Sequence, residues 1–111
     1  MPSEKAQLII DAMHDIQAQD IVCVNLDKMS DIADTMIICS SKSHRHARSI
    51  LDAILSCKSA IGDDSPTVEG SDYAEWILVD YHDVVIHIML PNIREYYALE
   101  KLWDKHLSEN E

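Results

Sequence analysis

Glycine and proline are scarce: the 111 residues hold two glycines and three prolines. With 47% of residues apolar, such a chain folds rather than staying disordered. The glycine shortage also excludes a glycine-rich phosphate cradle, because neither Gly62 nor Gly70 opens a helix. No apolar run approaches the roughly 18 residues that cross a bilayer, so no membrane partner is expected. The opening MPSEKAQLII lacks the basic region and small-residue cleavage site of a secretion signal. Cysteine is sparse and odd in number (Cys23, Cys39, Cys57), without a CxxC pair, which suits thiols acting as small core residues in a reducing cytoplasm.

Basic residues are also few. Nine Lys and Arg stand against twenty Asp and Glu, a net charge of −11. Phosphate binding draws on Lys and Arg, so no direct nucleic-acid site is expected. The long-range field favours a basic surface instead. Acidity alone also serves solubility, and charge by itself does not separate the two.

What is present reads as one α/β domain over residues 1–111. Ser3 to Gln17 carries a helical apolar stripe with Ser3 as N-cap. IVCVNL (21–26) and TMIICS (35–40) read as strands, the second buried on both faces. Ser43 caps a helix whose stripe runs from Ala47 to Ile61 and which Gly62 ends. TVEG is a short strand, and the two apolar runs of EWILVDYHDVVIHIML form a hairpin pinched at residues 81–83. Asn92 is expected to cap a last helix running to about His106. The order α-β-β-α-β-β-β-α gives a mixed five-stranded sheet flanked by helices.

Two aromatic rings do not fit this scheme simply. With Leu99 at the centre of the last helix's buried face, Tyr96 falls on that face and Tyr97 on the solvated one, near Arg94. Tyr97 is then either an anchor for a partner or a ring packed on a neighbouring loop. Alternation in EWILVDYH puts Ile77, Val79 and Tyr81 on one face and Trp76, Leu78 and Asp80 on the other. Trp76 is either a core ring or part of an open face with Asp80 nearby. A catalytic reading is weaker. His44, His46, His82 and His87 with Asp80 and Asp83 do not show metal-ligand spacing, and neither a phosphate loop nor a GxSxG elbow is present.

The stretch EWILVDYHDVVIHIMLPNIREYYALEKLW resembles the signature of the ribosomal silencing factors, the RsfS or Iojap-related family. The likeness extends back through AQDIVCVNL, SDIADTMIICSSKSHRHARSILD and VEGSDYAEW. It implies a nucleotidyltransferase-like topology without the catalytic motif, no enzymatic activity, no metal and no cofactor. It also implies a translational repressor of the cytoplasm, active when nutrients are scarce. Such a factor binds the large ribosomal subunit through its protein number fourteen and keeps the small subunit from joining. By the same resemblance Trp76 and Tyr97 belong to the binding surface, and so does Asp80. A role in subunit maturation and a homodimer stay open, and the alternative function is a nucleotidyltransferase-like or metal-dependent enzyme. His82 stands where the family has glycine in the hairpin turn, and SSKSHRHAR departs from its usual helix start.

Overall fold

The computed structural model describes residues 3–26, 33–62 and 65–98. In chain order these form α1 (Glu4–Asp15), β1 (Gln19–Asn25), β2 (Thr35–Ser40), α2 (His44–Leu55), α3 (Lys58–Ile61), β3 (Thr67–Glu69), β4 (Trp76–Asp80), β5 (Val84–Met89) and α4 (Pro91–Tyr97). The five strands make one sheet in the order β1-β2-β5-β4-β3. Only β2 and β5 pair in parallel; the other three pairings are antiparallel. The mixed five-stranded α/β architecture expected from the sequence is the one observed.

The two sheet faces differ. Ala6, Ile9, Ile10 and Met13 of α1, with Ala47, Ile50, Leu51 and Ile54 of α2, bury one face. Beneath them lie Ile37, Ile77, Val79, Ile86 and Ile88. Each fully buried Ile contributes roughly 1.5–3 kcal/mol, so this layer dominates stability. The second face holds a smaller cluster of Val24, Met36, Ile38 and Met89, against which Ile93 of α4 packs. β2 lies between the two layers and is buried from Met36 to Ser40, as its unbroken apolar centre suggested.

Two of the three N-caps read from the sequence are present. Ser3 Oγ accepts from Ala6 N (3.1 Å), and Ser43 Oγ accepts from His46 N (3.0 Å). Three boundaries differ. The helix expected to reach Ile61 breaks after Leu55; its remainder is the short α3, closed by Gly62 at φ +79°. The last helix is opened by Leu90, not Asn92, because Pro91 occupies its first turn, where a missing N–H costs nothing. That helix stops at Tyr97, since Ala98 is left-handed at φ +47°. The rest of the segment expected to be helical, Leu99 to His106, lies outside the described residues.

The β4–β5 hairpin is held from beneath. Lys5 Nζ donates to Tyr81 O (2.6 Å) and pairs with Asp83 Oδ1 at 2.7 Å. The buried Tyr81 hydroxyl donates to Ile54 O in the last turn of α2 (3.1 Å). Both helices of the first layer thus grip one turn. Within that turn His82 takes φ +71°, a region that costs a side-chain-bearing residue about 1–2 kcal/mol. Replacing His82 by Gly should therefore raise the unfolding free energy by about 0.5–1 kcal/mol, after the extra freedom of Gly in the unfolded chain is subtracted. Denaturant unfolding of the two proteins checks this; an unchanged or lower midpoint would show that the turn is not strained.

Candidate functional site: an aromatic cluster on the half-covered face

Strand pairing places the cluster. Along β3, β4 and β5 the row Val68–Val79–Ile86 lies on the helix-covered face. The neighbouring row, Glu69–Leu78–His87, therefore lies on the other face. Trp76 is paired with Met89 one pleat further on, diagonal to His87. This brings an indole and an imidazole within reach of each other.

Trp76 is half-buried, and its Nε1–H donates to His87 Nδ1 at 2.9 Å, with ring centroids 5.9 Å apart. An indole nitrogen only donates, so Nδ1 is the acceptor and the imidazole carries its proton on Nε2. Burial pushes the His87 pKa down to about 4, which keeps the ring neutral and able to accept at neutral pH. His87 is therefore a half-buried histidine whose hydrogen-bond partner is the proposed binding ring itself.

Tyr97 completes the cluster. Its ring centroid lies 4.8 Å from that of Trp76, tilted by 50°, and 5.0 Å from Tyr96 in an edge-on contact. Tyr96 departs from the expected buried face, while Tyr97 is exposed as expected but has its ring against Trp76. Tyr96 is 81% exposed, whereas Tyr97 is 50% exposed and rests on Trp76. The inward side of α4 is Ile93, Arg94 and Tyr97, at spacings of three and four. Arg94 is not solvated as expected; its guanidinium donates to Asp20 O (2.7 Å) and Ser40 Oγ (2.9 Å), tying α4 to the β1–β2 edge. Within its described residues the helix is oriented by Ile93 and Arg94.

Asp80 shares the face but not the cluster. Four residues along β4 separate it from Trp76, about 13 Å. Its Oδ1 accepts from His82 N at 2.7 Å, so part of the carboxylate supports the hairpin turn. Gly70 was read only as a strand terminator, yet it shapes the site. At φ +82° its Cα lies against the Trp76 carbonyl, and a Cβ there would collide with that backbone oxygen. The backbone of the preceding loop is pinned by α2, with Arg48 donating to Asp72 O (2.6 Å) and His44 Nδ1 2.7 Å from Tyr73 O. A single sequence could not have revealed these roles, which depend on register and close approach. His46 links Lys42 N and Ile16 O, and His82 lies 3.3 Å from Ser65 Oγ, so the four histidines serve four separate places. Among the described residues no three His, Cys, Asp or Glu side chains cluster as metal ligands. Burial raises all three thiol pKa values, that of Cys39 to about 12.

These features define a small α/β domain with one helix-covered sheet face and one half-covered face bearing an aromatic cluster. The chain belongs to the family described as ribosomal silencing factor during starvation, RsfS, whose profile matches residues 1–111. It is 35% identical over 100 residues to ribosomal silencing factor RsfS of Chromobacterium violaceum, covering 90% of this chain and 82% of that one. With the protein of the same name from Bacillus subtilis it shares 37% over 92 residues, covering 83% and 78%. A mouse relative, named mitochondrial assembly of ribosomal large subunit protein 1, is 32% identical over 86% of this chain but only 43% of its own length. A crystal structure from Chromobacterium violaceum superposes with a TM-score of 0.87 at 35% identity, over 91% of this chain and 84% of that one. No helix among the described residues is long and apolar enough to cross a membrane.

The His87 pair carries a pH dependence of definite sign. The folded value, about 4, lies below the ordinary 6.5. Between those values the unfolded chain binds the proton first, so stability present above about pH 6.5 is lost on acidification towards pH 4. This one group contributes up to about 3 kcal/mol. Unfolding measured from pH 7 to 4 should show wild type losing stability relative to His87→Gln; parallel curves would contradict the assignment.

Proposed function

We propose that this protein docks on the large ribosomal subunit through its protein number fourteen and keeps the small subunit from joining, repressing translation when nutrients are limiting. Trp76 and Tyr97 act as the aromatic anchors, with Asp80 at the rim. The observation that carries this reading is the cluster itself: two rings in contact with each other and half open to solvent, on the sheet face that α1 and α2 leave uncovered. Large rings that are pre-packed yet exposed lose little entropy on binding and supply much of an interface's energy.

Charge supports the choice of partner. A net charge of −11 opposes docking on ribosomal RNA, whereas a basic ribosomal protein is attracted by the same field. The family relationship supports the biological outcome, and steric exclusion requires no chemistry. A stable contact buries roughly 1,200–2,000 Å² in total, within reach of one face of so small a domain. An enzymatic alternative has no geometric support in this cluster, whose imidazole is occupied by the indole.

Co-sedimentation with purified ribosomal subunits tests the proposal. Wild type should pellet with large subunits and not with small ones. Trp76→Ala and Tyr97→Ala should each weaken that binding by about 2 kcal/mol or more, roughly thirtyfold. Full binding by both variants would remove the site, and failure of excess wild type to slow subunit joining would remove the mechanism.

A further inference from the structure

Beside the indole, between β3 and β5, lies a pocket of about 280 Å³ lined by Glu69, Gly70, Trp76, Leu78 and His87. That volume is at or below the small end of ligand sites, large enough for one side chain but not for a nucleotide. Its floor is Leu78, with neutral His87 to one side and the Trp76 indole as a wall. Glu69 ends the row at the short edge strand β3 and is exposed. No described Lys or Arg pairs with it, and among the described residues no cationic group lines the pocket at neutral pH.

We infer that this pocket seats one Lys or Arg side chain of the docked ribosomal protein, its aliphatic stem over Leu78 and its charged head between the Trp76 face and the Glu69 carboxylate. The inference rests on the docking reading above and specifies the partner chemistry at its centre. An apolar floor suits a long methylene stem. An indole face and a carboxylate both attract a cation, the first through its quadrupole. A phosphate is disfavoured, since Glu69 repels it and no cation among the described lining residues balances it. Gly70 keeps the mouth open, because any side chain there would push β3 away from Trp76. Trp76 therefore serves twice, stacking Tyr97 and walling the pocket.

The test is large-subunit co-sedimentation across a salt series, with wild type, Glu69→Gln, Glu69→Lys, Asp11→Asn and Trp76→Ala. Asp11, an exposed acid of α1, controls for net charge. Glu69→Gln should weaken binding about 3- to 10-fold and flatten its salt dependence, with a larger loss for Glu69→Lys and wild-type binding for Asp11→Asn. Unfolding midpoints should be unchanged for Glu69→Gln, whose carboxylate has no hydrogen-bond or ion-pair partner among the described residues. If Trp76→Ala weakens binding while both Glu69 variants bind as wild type, the pocket assignment is wrong and the docking reading survives. Equal losses for Glu69→Gln and Asp11→Asn would likewise overturn it, reducing the effect to overall charge. Full binding by Trp76→Ala would overturn the pocket assignment, and full binding by Tyr97→Ala as well would sink the docking reading with it.

Discussion

The hydrogen bond from Trp76 Nε1 to His87 Nδ1 is the contact on which the aromatic face depends. A tryptophan on a sheet surface ordinarily either sinks into a core, losing access, or swings freely, losing pre-organisation. Here the neighbouring strand supplies an acceptor one diagonal away, and burial keeps that acceptor neutral. The indole is held in one orientation while part of it stays wet. Tyr97 then has a fixed platform, and the two rings form a pre-packed surface, as the docking proposal requires.

The rest of the fold can be understood as support for that face. α1 and α2 fill the opposite side of the sheet so completely that the strands have no freedom to shift register. Lys5 and Tyr81 fasten the far end of the hairpin, Gly70 lets β3 approach Trp76, and Arg94 sets the position of α4. None of these residues needs to touch a partner. Each restrains a segment that carries Trp76 or Tyr97, the two rings proposed to dock.

Much of this was legible in the chain. The unbroken run MIIC announced a doubly buried strand, Ser3 and Ser43 announced helix starts, and the alternation of WILVD separated Ile77 and Val79 from Trp76, Leu78 and Asp80. Those features are local, and local rules describe them well. The errors came where a distant contact decides. Tyr96 and Tyr97 were assigned to faces from the phase of a helix assumed to continue. The observed phase is set by Ile93 and Arg94 against β1 and β2, and the helix ends early at Ala98. His82 occupies a left-handed turn position that composition disfavours, because Lys5 and Asp83 hold the turn from outside. The pairing of His87 with Trp76 depends on a register that periodicity does not specify.

Acidity and aromatic exposure, unremarkable separately, gain meaning together. Twenty acidic side chains give the domain a field that opposes phosphate, and two neighbouring rings give it an exposed apolar spot, the pairing on which the docking proposal rests. The most direct measurement is photo-crosslinking from a light-activated residue placed at position 97, on intact large subunits. The account predicts an adduct to large-subunit protein number fourteen, suppressed when unlabelled wild type is in excess. Adducts confined to ribosomal RNA, or to proteins distant from the subunit-joining face, would contradict it.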